Sequence, residues 1–401
     1  MDKHTLLQRV PELDIKLYSD NQIKIDFAGT SYLVDYFGLR VLDLFSQPCT
    51  LTDALEKLGG AASGTQDWVD MTRTVVMMHK AGILRDVRQQ APLHKPQASG
   101  FDSAYIHIQM LNDQRRTASY LQAIGQVVKP GDAVLDLGTG TGILATAAAK
   151  AGARQVYAIE ATSIGSQAQH LFERNNISDK VTLISGWSTQ VSIPEQVDVL
   201  VSEIIGNDPF GERVLEATID ARKRFLKREA RLVPDLVRVY ALPLKVPDKL
   251  RREYLYTSED LEKWNAWYGV NFASLLEIRL EDPYFLNFNP MEARGWPVVC
   301  DPVYLLEIDL SKVDTPLIES RVESIVQSAG EIDGVLVYFE LRLAQDLWFS
   351  VSPSEADEKN SWRNPVWLLP EPIQVQAGDT IHIDYRYNIP GFADGVVVKK
   401  V

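Results

Sequence analysis

A glycine-rich turn between an apolar strand and an alanine-rich helix constrains the fold of this chain more than any other stretch. The segment 133–137 is apolar enough for a buried parallel strand, and three glycines follow it at alternate positions: Gly138, Gly140 and Gly142. A helix-forming segment covers 143–150. Glycines let a ligand approach the backbone closely, and free N–H groups at a helix start favour an anion. The stretch predicts the first unit of a nucleotide-binding α/β fold, although its G-x-G-x-G spacing differs from the dinucleotide G-x-G-x-x-G.

An acidic residue lies at a suitable distance from this turn. The next predicted strand, 155–159, ends at Glu160, about 20 residues beyond the glycines, where a carboxylate can accept hydrogen bonds from both hydroxyls of a ribose. Asp136 lies in the first strand. Taken alone, the glycines also suit a tight turn in any α/β protein, and Glu160 also suits a solvated acid at a strand end. Together these features favour a nucleoside-binding site.

Composition narrows the possible classes of protein. The 401 residues allow two or three domains, and 45% hydrophobic with 24% charged residues indicates a globular, soluble chain. Two cysteines, Cys49 and Cys300, exclude a disulfide framework and a cysteine-based metal site, and the six histidines show no metal-ligand spacing, so we expect no metal. No signal-peptide core and no apolar run of spanning length occur, which predicts a cytoplasmic protein without membrane contact.

The charge balance bears on the partners. Lysine and arginine together number 41 and aspartate and glutamate 54, which gives a net charge of −13. A surface of this sign predicts that the protein does not bind nucleic acid and that it attracts basic substrates. The same acidity is equally consistent with solubility alone.

Residues 1–87 are predicted to form a separate small domain. Three short strands are expected at 15–18, 22–27 and 30–34. Three helices are expected at 36–45, 51–58 and 67–80. Thr50 is placed to cap the second helix, and Gly82 to end the third. Strands followed by a helical trio suggest a winged-helix-like module, and the stretch 88–99, with two prolines, predicts a linker.

The pattern changes again beyond the linker. Strands and helices alternate over 100–240, which predicts an α/β domain: a parallel, doubly wound Rossmann-like sheet that binds its ligand at the carboxyl ends of the strands. Helices are predicted over 106–123 and 211–226. Short β-rich runs fill 241–401 and predict an antiparallel β-barrel domain. Within it, a helix over 258–268 has Ser258 as its predicted N-cap and an aromatic face with Leu261, Trp264, Trp267 and Tyr268.

Two glutamates near the same sheet edge suggest a chemistry. Glu203 ends the predicted strand 197–202, and Glu212 follows nine residues later, so the loop between them can turn both carboxylates into one pocket. Two carboxylates form a bidentate clamp for the planar guanidinium of arginine. Taken singly, a turn cap for Glu203 and a solvated helix residue for Glu212 are the better interpretations. As a pair at this place in the fold, they favour a function.

From about residue 101 onward the chain resembles the protein arginine N-methyltransferases. The motifs that carry the resemblance occur in order along the chain: His107 to Asp113 with Arg116, the glycine turn 134–142, Ala158 to Glu160, Ser202 to Gly206 with Glu212, Leu232 to Asp235, Trp264 with Trp267 to Gly269, Ser350 with Ser352 and Pro353, and Asn360 to Trp362. The resemblance implies an S-adenosylmethionine-dependent N-methyltransferase acting on arginine side chains of a peptide or protein. It also implies a helical dimerisation arm at about 248–276 and a symmetric homodimer.

The resemblance further implies roles for individual residues. Glu203 and Glu212 would be catalytic, clamping the guanidinium and polarising one nitrogen toward the methyl group. Arg116 would pair with the methionine carboxylate of the donor, and Glu160 would bind the ribose. The residues implied to contact S-adenosylmethionine are His107, Met110, Arg116, Asp136, Gly138, Thr139, Gly140, Gly142, Ile143, Leu144, Glu160, Ala161, Ser188, Thr189 and Glu203. Those implied to contact the acceptor are Asp113, Asn207, Ser361 and Trp362.

The chain departs from the family pattern, mainly on the acceptor side. The family's Thr-His-Trp loop is Asn360-Ser361-Trp362 here, so Asp113 lacks the histidine partner. Asn207 stands where an aromatic residue is common, and Thr189 stands where the family often has an adenine-binding glutamate. These departures leave a strict preference for arginine open.

Residues 1–87 resemble the leader-peptide recognition modules of ribosomal-peptide tailoring enzymes, on the stretches 36–45, 51–55 and 81–84. In such modules a peptide adds as a strand to an exposed sheet edge, which here would belong to the 15–34 sheet. The resemblance implies that the acceptor arginine lies in a ribosomally made precursor peptide. A structural or dimerising domain is the alternative.

Three other functions remain open from the sequence. The scaffold could serve a small-molecule or non-arginine peptide methyltransferase, which Ser361 favours and the glutamate pair opposes. It could be a non-catalytic S-adenosylmethionine-binding scaffold, which the double carboxylate opposes. A nucleotide dehydrogenase is disfavoured by the missing G-x-G-x-x-G spacing.

Overall fold

The chain is organised as two compact units, residues 1–103 and 104–401. A computed structural model describes residues 5–10, 13–17, 22–27, 30–35, 37–59, 65–86, 101, 103–277, 284–390 and 393–401. Each unit has its own cluster of buried hydrophobic side chains, which is the property of an independent domain. The predicted linker at 88–99 lies outside the described residues.

The N-terminal unit combines short antiparallel strands with three helices. Its elements are β1 (Leu6–Arg9), β2 (Asp14–Leu17), β3 (Ile23–Phe27), β4 (Thr30–Val34), α1 (Phe37–Leu44), β5 (Cys49–Thr50), α2 (Leu51–Gly59), α3 (Thr65–Lys80) and β6 (Leu84–Asp86). The three predicted strands and three predicted helices are confirmed. The strands β1, β5 and β6 were not predicted, because two to four residues are too few to show a period.

The caps and the sheets of this unit follow local chemistry. The hydroxyl of Thr50 accepts a hydrogen bond from the backbone N–H of Asp53 at 3.1 Å, which confirms it as the cap of α2. The strand β3 lies between β2 and β4 in one antiparallel sheet, and β1 lies between β5 and β6 in another. Gly82 ends α3 with φ of +75°.

The first half of the second unit is a parallel α/β sheet. Its elements are α4 (Ala104–Asn112), α5 (Gln114–Val127), β7 (Ala133–Leu137), α6 (Ile143–Lys150), β8 (Gln155–Glu160), α7 (Gly165–Arg174), β9 (Val181–Ser185), β10 (Val197–Ser202), α8 (Val214–Arg224) and β11 (Leu226–Val233). The strand order β11-β10-β7-β8-β9, all parallel, confirms the doubly wound sheet. Its switch point lies between β7 and β10, where such sheets bind ligands.

Two predicted helices differ from the structure. The single helix expected over 106–123 is wrong, because Asp113 separates α4 from α5 and its carboxylate caps α5 by accepting from the backbone N–H of Arg116 at 3.0 Å. The helix expected from Gly211 starts only at Val214, because Arg213 has a left-handed backbone with φ of +60°.

The second half of this unit is antiparallel. Its strands are β12 (Leu236–Leu244), β13 (Tyr284–Phe288), β14 (Val303–Asp309), β15 (Ile318–Ile325), β16 (Gly330–Ala344), β17 (Leu347–Ser350), β18 (Asn364–Val375), β19 (Thr380–Tyr387) and β20 (Gly395–Lys400), with a short helix α11 (Pro290–Ala293). One sheet has the order β13-β18-β16-β12-β14 with β17 on β16, and the other has the order β15-β19-β20. The first antiparallel strand begins at Leu236, slightly before the predicted boundary at 240.

The predicted arm folds as α9 (Asp248–Tyr254), α10 (Ser258–Tyr268) and a 3-10 turn (Ala273–Glu277). The N-cap of α10 is Thr257, not Ser258, because Thr257 forms a reciprocal capping box with Asp260. The predicted aromatic face divides in two. Leu261 is buried and Trp264 packs on aromatic rings of the arm, whereas Trp267 and Tyr268 are 66% and 65% exposed.

Two further sequence expectations concern the whole chain. Among the described helices, none is both long and apolar enough to cross a membrane. Both cysteines are buried free thiols.

Candidate active site

The strand β7 and the turn after it form a tightly bonded unit. The Asp136 side chain is fully buried, and its Oδ2 accepts hydrogen bonds from the Thr139 hydroxyl at 2.6 Å and from the backbone N–H of Ala145 at 2.8 Å. These bonds tie the strand to the start of α6. Burial raises the pKa of Asp136 to about 7, although both hydrogen bonds favour the charged form.

The close packing of this turn requires glycine at Gly142. Its φ is +87°, and a Cβ there would lie 2.6 Å from the ring of Phe172. No other residue fits that position without displacing α7. The turn therefore presents bare backbone at the carboxyl end of β7, as the sequence predicts.

Glu160 lies at the end of β8, and its carboxylate lies beside the same turn. One oxygen accepts from the backbone N–H of Gly140 at 2.8 Å, and the other accepts from the backbone N–H and the hydroxyl of Thr162 at 2.8 and 2.7 Å. The residue is 7% exposed. The structure thus brings the predicted ribose acid and the glycine turn together.

Glu203 at the end of β10 pairs with Arg116 of α5. The two side chains are 7% and 8% exposed, and the Arg116 guanidinium lies 4.8 Å from the centre of the Trp362 ring. The resemblance assigned Arg116 to the donor's carboxylate, whereas in this structure its partner is a catalytic candidate. A buried guanidinium takes the nearest anion, because an unpaired buried charge is costly.

Glu212 returns to the same place through a tight loop. A Cβ on Gly206 would lie 3.0 Å from Oε1 of Glu212, so the loop folds back with the carboxylate against the backbone of Gly206. The charge of Glu212 raises the pKa of Glu203, so the two carboxylates lie near each other.

The electrostatics of the acid pair are unusual. Burial raises the pKa of Glu203 to about 7; the Arg116 charge opposes that shift and the Glu212 charge adds to it. Loss of water around its carboxyl also raises the pKa of Glu212, although the residue as a whole is exposed. Both acids therefore favour a cationic partner.

The predicted acceptor residues lie where a loop of the β-barrel meets α5 and the strand ends. Oδ2 of Asp113 accepts from the backbone N–H and the hydroxyl of Ser361 at 2.7 and 2.9 Å, and the same hydroxyl accepts from Arg116 at 3.3 Å. The indole N–H of Trp362 donates to the carbonyl of Ile205 at 2.7 Å. The Asn207 side chain accepts from the backbone N–H of Arg363 at 2.8 Å. Ser361 thus takes the position of the missing histidine as the partner of Asp113.

The remaining predicted donor contacts surround the same edge. His107 is buried, and its ring lies 3.2 Å from where a Cβ on Gly140 would be. The carbonyl of Met110 accepts from the hydroxyl of Thr117 at 3.3 Å. Gly138 lies in the turn, Ile143 and Leu144 lie at the start of α6, and Ala161 follows β8. Ser188 and Thr189 follow β9, an outer strand of the parallel sheet. Thr189 is exposed.

Sequence reasoning missed three residues of this neighbourhood. Tyr120 lies one helical turn beyond Arg116, is 1% exposed and carries a buried hydroxyl without a partner among the described residues. Asp208 lies between the two glutamates and is bonded to Tyr385. The helical spacing from Arg116 could have identified Tyr120, and an acid between two catalytic candidates could have identified Asp208. Nothing local identifies Tyr385.

Two family models match this chain. One, described as ribosomal protein L11 methyltransferase, matches residues 114–233. The other, described as arginine methyltransferase oligomerization subdomain, matches residues 251–388 and so begins within the predicted arm.

Among curated proteins, protein arginine N-methyltransferase PRMT10 of Arabidopsis thaliana is 29% identical over 304 residues, which cover 70% of this chain and 79% of the relative. Histone-arginine methyltransferase CARMER of Drosophila willistoni is 33% identical over 289 residues, which cover 68% of this chain. This chain spans about half of that second relative, 51% of its length.

Two solved structures share the fold. The Trypanosoma brucei PRMT1 enzyme–prozyme heterotetrameric complex with AdoHcy has a TM-score of 0.64 at 22% identity, covering 75% of this chain and 94% of that one. Arabidopsis thaliana protein arginine methyltransferase 10 has a TM-score of 0.61 at 24% identity, covering 75% and 98%.

The parallel sheet, the glycine turn with Glu160 at its switch point and the matching family models define the class as an S-adenosylmethionine-dependent methyltransferase. The β-barrel that follows the sheet carries an oligomerization subdomain. Within that class, the chain belongs to the protein arginine methyltransferase family.

Proposed function

We propose that this protein transfers a methyl group from S-adenosylmethionine to a guanidinium nitrogen of an arginine side chain in a peptide or protein. The observation that carries the proposal is the pair Glu203 and Glu212, whose carboxylates lie near each other at the carboxyl edge of the sheet. Two carboxylates match the donor groups of a guanidinium better than those of an ammonium.

The donor fits the polar groups of the site. Oδ1 of Asp136, Nε of Arg116 and the hydroxyl of Tyr120 are buried without a partner in the described part of the chain, and all three belong to this region. Buried polar groups need partners, and a zwitterionic ligand with an amino and a carboxylate group offers them. The glycine turn supplies bare backbone, and Glu160 supplies an acid for a ribose.

The proposed contacts divide among the elements of this edge. Arg116 and Asp136 would hold the methionine end, and Glu160 the ribose. The turn and α4 would complete the donor side with His107, Met110, Gly138, Thr139, Gly140, Gly142, Ile143, Leu144 and Ala161; Ser188 and Thr189 would border the adenine. Trp362, Ser361, Asn207 and Asp113 would shape the acceptor side.

The chain contributes alignment and charge more than acid–base power. Bound S-adenosylmethionine supplies a methyl group on a sulfonium, and the remainder of the donor leaves as a neutral thioether. Arg116 contacts Oε2 of Glu203, so the acceptor guanidinium is proposed to use Oε1 together with Glu212. The clamp holds one nitrogen in line with the methyl group and localises the positive charge on the others. With its pKa raised to about 7, Glu203 can accept the proton that the methylated nitrogen gives up.

Mass spectrometry tests this proposal directly. The purified chain is incubated with isotope-labelled S-adenosylmethionine and a peptide with one arginine, and in parallel with the same peptide carrying lysine there. We expect label on the arginine peptide and none on the lysine peptide. Label on another residue, or a protein that binds NAD and not S-adenosylmethionine, would reject the proposal.

One observation favours a second candidate, methylation of a small molecule or of a non-arginine residue. Ser361 replaces the family's loop histidine and lies against both Asp113 and Arg116. A smaller side chain there changes the wall of the acceptor side. Turnover of free guanidino compounds or amines in the same assay, at rates above those of the arginine peptide, would support this candidate.

We also propose that the protein is a homodimer through its arm. Trp267 and Tyr268 are two-thirds exposed on α10, and large exposed aromatic side chains side by side mark an interaction surface. Replacing both by serine should give a monomer by sedimentation, with little activity. A wild-type protein that sediments as a monomer at micromolar concentration would contradict the proposal.

The N-terminal unit is proposed to bind a segment of the acceptor peptide, including the leader of a ribosomally made precursor. Ile15 and Leu17 pair with Ile25 and Ile23 and lie on the same sheet face, yet they are 40% and 68% exposed on the edge strand β2. An apolar sheet edge of this kind accepts an added strand.

A face-specific substitution tests the peptide-binding edge. Leu17→Glu should raise the KM of a full-length precursor much more than that of a short core peptide. Leu33→Glu, on the opposite face of β4, is the matched control. Equal effects of both substitutions would indicate a structural role. The two free thiols agree with the further proposal of a cytoplasmic location.

A further inference from the structure

The loop between the two glutamates carries a buried acid that the proposed chemistry does not use. Asp208 is 5% exposed, and its Oδ1 accepts hydrogen bonds from the Tyr385 hydroxyl at 3.0 Å and from the backbone N–H of Phe210 at 3.3 Å. The carbonyl of Asp208 accepts from the backbone N–H of Gly211 at 3.1 Å. Asp208 is therefore the centre of the hydrogen bonds that shape this loop.

The partner of Asp208 comes from the β-barrel. Tyr385 lies on β19, 177 residues further along the chain, and is fully buried. Phe210 packs against Tyr385 and Tyr387 with ring centres 6.3 and 6.1 Å apart, and the two tyrosines lie 5.7 Å from each other. The hydrogen bond from Tyr385 to the Asp208 carboxylate and the two ring contacts of Phe210 thus fix the loop to β19.

The loop passes this constraint on to Glu212. A Cβ on Gly206 would lie 3.0 Å from the carbonyl oxygen of Asp208 and also 3.0 Å from Oε1 of Glu212. The Asp208 carbonyl and the Glu212 carboxylate therefore both pack against the same face of Gly206. Glu203, by contrast, is held by the end of β10 and by Arg116.

We propose that Asp208 is a positioning residue that, through its hydrogen bond to Tyr385, sets the place of Glu212 and so the geometry of the acceptor clamp. This inference rests on the proposed arginine methylation and deepens it. It assigns the β-barrel strand β19 a part in acceptor binding without any contact to the acceptor.

Two conservative substitutions test the tether. Asp208→Asn removes the charge and keeps the shape, and Tyr385→Phe removes the hydroxyl and keeps the ring packing. Each should raise the KM of the acceptor peptide roughly tenfold, because a buried hydrogen bond to a charged group is weakened or lost. The dissociation constant of S-adenosylmethionine should stay within about twofold, because the tether does not touch the glycine turn. The double substitution should cost less than the product of the two single effects, because both act on one bond.

The neighbouring residue on β19 offers a matched control. Asp384 is also a buried carboxylate, but it pairs with Arg321 of β15. Asp384→Asn should lower the melting temperature and leave the acceptor KM unchanged. This comparison separates a general loss of stability from a loss of loop position.

A second measurement does not depend on activity. Hydrogen exchange of the 204–212 peptide reports the N–H groups of Phe210 and Gly211 directly, and both tether substitutions should accelerate it at least threefold. Unchanged exchange, or faster exchange with an unchanged acceptor KM, overturns the inference. A wild-type protein that methylates no guanidine substrate, with exchange that still follows the prediction, rejects the proposed function and retains the tether.

Discussion

The donor side and the acceptor side of this site are built in different ways. On the donor side, the hydrogen bonds of Asp136 and Glu160 join residues at most 20 positions apart. On the acceptor side, the bonds span 157 positions from Ile205 to Trp362 and 248 from Asp113 to Ser361. A local unit can bind the same donor unchanged while the acceptor side varies with the β-barrel docked onto it.

The largest effect is expected at the acceptor side, from Glu203→Gln. This substitution keeps the shape and replaces one acceptor of the clamp by a donor that faces a cation. A charged hydrogen bond lost in a dry site costs about 2–4 kcal/mol, which lowers kcat roughly 30- to 1000-fold. Single-turnover kinetics with labelled donor measures the loss, and calorimetry should show a much smaller change in donor affinity.

Replacement of the second acid tests whether the clamp is a unit. Glu212→Gln should lower kcat by a similar order, and the double substitution by little more than either alone. Near-full turnover of both single variants would show that the two acids do not hold the acceptor.

Next in size is the donor side, where Glu160→Ala should weaken donor binding about 10- to 100-fold. The substitution removes an acid proposed to hold the ribose and also frees the N–H groups of Gly140 and Thr162. Calorimetry measures the donor affinity, and the acceptor KM at saturating donor should not change. The exposed acid Glu173 of α7 is the matched control, and Glu173→Ala should affect neither. If Glu160→Ala weakened acceptor binding as much as donor binding, the two sides of the site would not be built independently.

The pH dependence distinguishes the two sides again. Because the clamp must be ionised and burial raises the pKa of Glu203 to about 7, protonation below pH 7 removes the charge that holds the acceptor. We expect kcat/KM to fall about tenfold per pH unit below that value and to level off above it. Glu203→Gln should abolish this fall of kcat/KM at low pH. A profile flat between pH 6 and pH 8 would contradict the assignment.

The smallest effect is expected from Ser361→Ala. The substitution removes the hydroxyl that bridges Asp113 and Arg116, but the backbone N–H of residue 361 still donates to Asp113. A loss of about 0.5–1.5 kcal/mol predicts a two- to tenfold fall in kcat/KM with the arginine peptide. Ser361→Thr keeps the hydroxyl and should restore most of it. A fall in donor affinity, with no change in the acceptor KM, would show that Ser361 belongs to the donor side of the site and not to the acceptor side.

The sequence by itself determined the donor side and the alternation of strands and helices around it. The apolar run of β7, the glycines after it and the acid at the end of β8 carry their geometry in a few neighbouring residues, so strand, turn and helix follow from local chemistry. Thr50 as a cap and, in the N-terminal unit, the strands β2 to β4 and the three helices were predictable for the same reason. The glutamate pair was predictable from its spacing and from the fold class.

Only the tertiary structure decided what each acceptor-side group contacts. Asp113 ends one helix and caps the next, which a continuous apolar period concealed. Arg116 pairs with Glu203, Ser361 with Asp113, and Asp208 with Tyr385. No local pattern encodes these pairs, because they depend on how the β-barrel packs against the sheet, and the cost of leaving a buried charge unpaired then selects the partner.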